Sequence, residues 1–323
     1  MVSADTQAMT MTQTARIAVL VPCYNEEAAI GKVVRDFRAA LPGAIVYVYD
    51  NNSRDKTALR AAEAGAIVRN EVRQGKGNVM RRMFADIDAD IYVLVDGDDT
   101  YDPHDAPAFI RKLVAEGMDI VSGRRRATGT AAYRAGHVLG NRLLTGLTAL
   151  MFRVELGDML TGYRVMSRRF VKSFPFTAEG FTVETELTVH AVRLMMPMAE
   201  VDTSYKERPV GSVSKLNTYR DGFRILNTIA YLLREERPLI FFFVLAALIG
   251  IVALLIGTPV VLDYMQTGQV PRLPTALLAT GLVVLAALSA MCGLILDTVT
   301  RGRWEQKRTA YLAIPGPQDL KLP

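Results

Sequence analysis

From Pro238 to Leu262, and again from Leu273 to Leu296, the chain contains no Asp, Glu, Lys or Arg. Each run is about 24 residues, and a helix of that length reaches roughly 36 Å, enough to cross a hydrocarbon core of roughly 30 Å. Helices buried in a soluble core rarely stay uncharged beyond roughly 18 residues. The runs therefore predict transmembrane helices over 238–262 and 273–297. Before about Arg237 the text is mixed and charged, as in a soluble domain, here taken as 16–215. Four cations, Arg301, Arg303, Lys307 and Arg308, follow the second run, whereas the loop between the runs has only Arg272. Positive residues near span ends favour the cytoplasm. The expectation is a multi-pass protein of the cell (inner or plasma) membrane, with the soluble domain and a tail over 298–323 both cytoplasmic. Residues 1–15 are polar, lack an apolar core and read as a disordered leader.

The net charge of +5 is small and dispersed. No Lys/Arg block alternates with aromatics as a nucleic-acid groove requires, so nucleic acid is not expected as a partner. The surplus suits phosphorylated substrates or anionic lipids. Cys23 and Cys292 have no metal-ligand spacing, and one lies inside a predicted span, which argues against both a zinc site and a disulfide framework. His104, His137 and His190 are scattered and form no ligand set. A homo-oligomer is compatible with the sequence.

The soluble part alternates strand and helix patterns. Ile17–Pro22, Ile45–Tyr49, Ala66–Arg69 and Ile91–Val95 are short apolar runs suited to buried strands. Between them, Glu27–Leu41 places Ile30, Val33, Val34, Phe37 and Leu41 at helical spacing. A second helix runs from about Lys56 to a natural stop at Gly65, and a third covers Asn78–Ile87. Such alternation predicts an α/β fold with a mainly parallel sheet and helices on both faces. Ligands of such sheets bind at the carboxyl ends of the strands, where strand order reverses. From Leu216 to Arg237 the pattern is amphipathic, which fits either a packing helix or one lying on the membrane surface; its place beside a span favours the surface.

Polar residues crowd these strand ends. Strand one runs into Pro22-Cys-Tyr24-Asn25-Glu26-Glu27, and strand two into Asp50-Asn51-Asn52-Ser53-Arg54-Asp55. Strand four runs into Asp96-Gly-Asp98-Asp-Thr100. Asp96 and Asp98 can converge on a hard cation, magnesium or manganese, whose open positions take the diphosphate of a nucleotide. A sugar leaving such a diphosphate puts negative charge on the leaving group, where a metal acts as a Lewis acid. An acidic turn before a helix at Pro103 is the plainer alternative for this motif alone. Asp50 can accept the N–H of a nucleobase. Three polar strand ends together describe a nucleotide pocket.

These features, with Arg73-Gln-Gly-Lys76-Gly-Asn78, Ser122-Gly-Arg124, Asp158-Met-Leu-Thr-Gly-Tyr-Arg164 and Arg208-Pro-Val-Gly-Ser-Val-Ser-Lys215, resemble family 2 glycosyltransferases of the GT-A fold. The nearest resemblance is to the polyprenyl-phosphate branch, which includes dolichol-phosphate mannose synthase and prokaryotic glucosyl and N-acetylglucosaminyl transferases. The motifs run in family order over nearly the whole soluble part. Two positions depart from the family pattern: Thr100 stands where a Gln is common, and Asn51 where a second Asp is common.

The resemblance implies an inverting, metal-dependent transfer from a nucleotide-sugar, a UDP-sugar more than GDP-mannose, to a polyprenyl or dolichyl phosphate. Pro22, Tyr24, Asn25, Glu26, Asp50, Asn52, Lys76, Asp96, Arg208 and Lys215 are then expected at the donor. Asp96, Asp98 and Thr100 are expected at the metal, and Arg124, Arg134 and His137 at the lipid phosphate. Asp98, Glu186 and Arg124 are expected to carry the chemistry. Glu184 is open between a capping role and a catalytic one. Transfer to a sugar hydroxyl, and a membrane-bound nucleotide-sugar sensor or scaffold without turnover, are the competing readings.

Overall fold

The computed structural model describes residues 14–127, 146, 157–175, 183–206, 230–231 and 233–323. The chain divides into a sheet unit, Met1–Tyr219 with Lys307–Pro323, and a helical unit, Arg220–Gln306. The strands of the sheet are β1 (Ile17–Cys23), β2 (Ile45–Asp50), β3 (Ile67–Asn70), β4 (Ile91–Leu94), β5 (Ile120–Ala127), β6 (Arg164–Ser167) and β7 (Met198–Tyr205). Their order is β3-β2-β1-β4-β6-β5-β7. All neighbours are parallel except those involving β6, which runs antiparallel to both β4 and β5. This is the mainly parallel α/β sheet of the GT-A architecture. Strand order reverses between β1 and β4, and the crevice beyond their carboxyl ends is where the acidic motifs lie.

The helices of this unit are α1 (Ile30–Ala40), α2 (Thr57–Glu63), α3 (Lys76–Asp86), α4 (Ala106–Ala115), α5 (Arg168–Ser173) and α6 (Val183–Arg193). Ile30, Val33, Val34 and Phe37 of α1 are buried against Val19, Val21, Val46, Val48 and Val93 of the strands. At about 1.5–3 kcal/mol for each large apolar side chain removed from water, this face fixes α1 on the sheet. α1 begins three residues later than periodicity predicts. The backbone N–H groups of Asn25, Glu26 and Glu27 donate instead to Ser53 Oγ, Thr57 Oγ1 and Asp55 Oδ2. They knit the first strand end to the second. α3 starts earlier than predicted, at Lys76. Gly75, at φ 124°, turns the chain there and donates its N–H to Asn51 Oδ1 at 2.7 Å.

The helical unit contains α7 (Pro238–Thr267) and α8 (Leu273–Leu312). They are antiparallel, with Ser289 Oγ donating to the Phe242 carbonyl at 3.2 Å and Gly257 facing Ala279. Small residues at such contacts let helix backbones approach closely. Only 6% and 11% of their most apolar windows are buried. By length and composition both can cross a membrane.

Both helices outrun their predicted ends. α7 continues to Gly268, whose left-handed conformation (φ 67°) stops it. α8 continues through the charged stretch, aided by an Asp297–Arg301 pair one turn apart. The end of the segment expected as a tail over 298–323 packs on the sheet unit. Tyr311 donates to Asp119 Oδ2 at 2.7 Å, Arg169 stacks on its ring, and Leu320 and Leu322 pack against the core. Lys321 forms a bridge with Thr14 and accepts the Ala15 N–H at 2.8 Å. Thr14 and Ala15, assigned to the leader by sequence, thus belong to the sheet unit; residues 1–13 lie outside the described residues. Most of the amphipathic stretch 216–237 lies outside them too.

Candidate active site

Three neighbouring parallel strands each end in a residue held at positive φ: Asn25 after β1 (54°), Asn52 after β2 (63°) and Asp99 after β4 (59°). Such backbone is uncommon outside glycine and gathers where a site needs a sharp turn. Asn25 and Asn52 spend their side chains on neighbouring loops. Asn25 Oδ1 accepts the Arg54 N–H at 2.8 Å, and Asn52 Nδ2 donates to the Val72 carbonyl at 2.9 Å. Asn51 Nδ2 holds the carbonyls of both Glu71 and Arg73 at 2.8 Å. Asn51 therefore shapes the loop before α3, which accounts for an amide where the family often has a carboxylate. Pro22 and Tyr24 flank this edge, half-buried, as does Glu26, whose N–H is held by Thr57.

Asp50 is buried at the end of β2. Its Oδ2 accepts the Ser53 N–H at 3.1 Å, and its Oδ1 is buried with no hydrogen-bond partner. An unmet carboxylate oxygen is costly and marks a place for a donor group from elsewhere. A nucleobase N–H has the right chemistry.

Beyond β4, Asp96, Gly97 and Asp98 line the crevice. A Cβ on Gly97 would lie 2.6 Å from Cys23 Sγ, so only glycine lets this turn pack on β1. Gly97→Ala should destabilise the sheet unit by about 1–3 kcal/mol through overpacking, seen as a lower thermal midpoint; an unchanged midpoint would contradict the packing. Asp98 is buried and accepts the Thr100 hydroxyl at 2.6 Å. Thr100 and Asp98, both expected at the metal, are thus in direct contact. Asp99 is engaged by Lys32 at 2.8 Å. Among the described residues no group of three or more His, Cys, Asp or Glu converges as a metal cage. The pair Asp96 and Asp98 nevertheless fits magnesium-type binding, which uses one or two carboxylates and takes its other oxygens from substrate phosphate and water.

Lys76, at the start of α3, reaches into the crevice. Its Nζ lies 2.6 Å from Asp96 Oδ1 and 2.6 Å from Glu184 Oε1. Burial works against this ammonium, but the two carboxylates outweigh it and hold its pKa far above the ordinary lysine value. The structure thus brings Glu184, not Glu186, to Asp96. Glu186 lies on another face of α6, near Lys307. Burial is the main influence on the Glu186 carboxyl and pushes it up to about 7, with Lys307 opposing and Glu184 adding to the rise. The folded protein then keeps a proton that the unfolded chain, at an ordinary value of 4.5, has lost. Stability contributed by this group therefore falls as pH rises from about 4.5 to about 7. Glu186→Gln should flatten that part of the melting-temperature profile, and an unchanged slope would exclude Glu186 as its source.

The β5 arginines divide by face. Arg124 points outward and pairs with Asp202 of β7 at 2.6 Å. Arg125, on the other face, is half-buried, makes a two-point contact with Asp158 at 2.6 and 2.8 Å, and stacks over Tyr205. Arg124, which is expected at the lipid phosphate, is thus the outward one of the pair. Arg125 shares its face with Val121 and Gly123, but Ile120 and Ser122 opposite are buried too, so alternation alone does not separate the two arginines. The 158–162 turn closes this side: Gly162 donates its N–H to Tyr101 Oη at 2.8 Å and abuts the Asp96 carboxylate, where any Cβ would clash. His190 is buried between Phe170 and Phe174 and is a packing residue. Arg134, His137, Arg208 and Lys215 lie outside the described residues.

Residues 18–174, from β1 through α5, match the model of glycosyl transferase family 2. A dolichyl-phosphate hexose transferase of Haloferax volcanii is 30% identical over 221 residues, covering 68% of this chain and 95% of its own. This chain belongs to glycosyl transferase family 2. Protein RfbJ of Shigella flexneri is 52% identical over 128 residues, which is 39% of this chain and 99% of that protein. Among solved structures, glucosyl-3-phosphoglycerate synthase of Mycobacterium tuberculosis is 26% identical, with a TM-score of 0.53, covering 68% of this chain and 79% of that one. That structure holds Mn2+, UDP-glucose and glycerol 3-phosphate. The matched region of this glycosyltransferase contains Asp50, Lys76, Asp96 and Asp98.

Proposed function

We propose that this family 2 glycosyltransferase moves a hexose from a nucleotide-sugar, a UDP-sugar by preference, to a polyprenyl phosphate at a membrane surface. The observation that carries the reading is the union, in one chain, of a carboxylate-lined strand edge with two exposed apolar helices long enough to span a bilayer. The unmet Asp50 Oδ1 supports a base at the end of β2. Asp96 and Asp98 would hold Mg2+ or Mn2+, which supplies Lewis-acid stabilisation of the departing diphosphate. Lys76 supplies positive charge at this edge, while the planar fork of Arg125 is held by Asp158 and braces the 158–162 turn. The acceptor oxygen bonds to the anomeric carbon as the bond to the diphosphate breaks, and the electron pair leaves with the nucleotide; the anomeric centre inverts. A lipid phosphate, with a second pKa of about 6, is largely dianionic at pH 7 and needs no general base. Glu184, already paired to Lys76, is therefore assigned to orientation.

Nucleotide-sugars are made in the cytoplasm, so the sheet unit and chain end are assigned there, with the α7–α8 turn on the far side. Thr267→Cys should label in intact cells with a membrane-impermeant thiol reagent, and Ala313→Cys should not; the reverse pattern would invert this topology. The acceptor is tested by offering purified protein a UDP-sugar with polyprenyl phosphate, polyprenol or an oligosaccharide. Transfer to the phosphate alone is expected. A preference for polyprenol or oligosaccharide would replace this reading with transfer to a hydroxyl.

A further inference from the structure

Arg164, on β6, is among the largest fully buried side chains of the chain, 1% exposed. Among the described residues it hydrogen-bonds no carboxylate. Its Nε donates to the Thr161 carbonyl at 3.1 Å, and its Nη2 to the carbonyls of Met159 at 2.7 Å and Glu184 at 3.0 Å. Its Nη1 donates to Thr188 Oγ1 at 2.9 Å, and that hydroxyl in turn donates to the Glu184 carbonyl at 3.0 Å. One planar fork therefore ties two segments together: the 159–162 turn and the first turns of α6. An ammonium has no such plane and cannot reach all four acceptors from one place.

Each tied segment forms a wall of the crevice. The turn carries Gly162 against the Asp96 carboxylate. The helix carries Glu184, which with Asp96 grips Lys76. An apolar side chain of similar volume would fill the space without the cost of burying a charge. Burial works against this guanidinium, while Glu184 and Asp158 support its charge from a distance. The result is a fixed positive charge behind the crevice, bonded to carbonyls and not cancelled by a bonded carboxylate. Preorganised charge of this kind acts most strongly where negative charge develops in a water-poor site.

We propose that Arg164 is a positioning residue for the donor: through the 159–162 turn and α6 it sets Asp96 and Glu184 for the diphosphate of a nucleotide-sugar, without touching the donor itself. The proposal rests on the donor reading given above. The test uses full-length protein in detergent with Arg164→Lys and Thr188→Val, the second removing one contact of the fork while leaving the charge. Three measurements are made: circular dichroism for the fold, steady-state kinetics for kcat and donor KM, and the electron paramagnetic resonance spectrum of Mn2+ with uridine diphosphate. Arg164→Lys should keep the wild-type dichroism, lose about a hundredfold in kcat, as misplacement near 1 Å does, and alter the Mn2+ spectrum. Thr188→Val should shift kcat and spectrum the same way by less. Wild-type kcat and spectrum in Arg164→Lys would overturn the proposal. So would an Arg164→Lys protein whose activity falls only with its folded fraction, beside a folded Thr188→Val with wild-type kcat and spectrum. A wild-type protein that gives no Mn2+–uridine diphosphate spectrum at all would overturn the donor reading first, and this proposal with it.

Discussion

Asp98→Asn should lower turnover at least about a hundredfold while leaving the fold intact, since it removes ligand charge without removing volume. Thr100 Oγ1 donates to Asp98 Oδ1, and an asparagine carbonyl can still accept that bond, so the turn after β4 keeps its shape. Lys76 is held by Asp96 and Glu184, and its place does not depend on the substituted residue. The loss should therefore appear in kcat and in Mn2+ affinity together, measured by paramagnetic resonance, with an unchanged thermal midpoint. Full turnover in Asp98→Asn, or full turnover of the wild type in excess chelator, would remove the metal from this account.

The largest loss of stability is expected far from the crevice, at Asp119. This carboxylate is fully buried and accepts from Ser167 Oγ at 2.7 Å, Arg169 Nη2 at 2.8 Å and Tyr311 Oη at 2.7 Å. Asp119→Ala leaves the Arg169 charge without its partner and four donors unmet: Ser167 Oγ, Arg169 Nε, Arg169 Nη2 and Tyr311 Oη. Breaking a buried pair from one side costs about 3–5 kcal/mol, a large share of the roughly 5–15 kcal/mol that holds a domain folded. Tyr311→Phe removes one bond to a charged group and should cost about 1.5–3 kcal/mol. Resistance to proteolysis across a temperature series measures both. Equal resistance of Asp119→Ala and wild type would show that the chain end contributes nothing to the sheet unit.

The parallel sheet was legible because β1, β2 and β4 are buried on both faces and read as unbroken apolar runs. The crevice was legible for the same reason: each run stops abruptly at Asn, Asp or Glu. Finer assignments depended on facts that one-dimensional spacing does not hold. Arg124 and Arg125 differ only in which face of β5 they occupy, and both faces of that strand are covered at its start. Glu184 and Glu186 lie two residues apart on one helix, so they point in different directions, and only the position of Lys76 decides which joins Asp96. The chain end looked like a charged tail because its helix-forming residues and its two leucines gain meaning only from the distant Asp119, Arg169 and Thr14. Arg164 closes the Asp158–Arg164 motif, yet its burial, and hence its fork of carbonyl contacts, arises only in the folded chain.

The most direct test of the central claim follows a radiolabelled sugar. Wild-type protein in liposomes containing polyprenyl phosphate is incubated with a panel of labelled nucleotide-sugars and Mg2+ or Mn2+, then extracted with organic solvent. The account expects label from a UDP-hexose or UDP-N-acetylhexosamine to enter the organic phase only when both polyprenyl phosphate and the metal ion are present. It also expects mild acid to release that label as free sugar. Label that stays in the aqueous phase for every donor, or that enters lipid equally well without the phosphate, would contradict it.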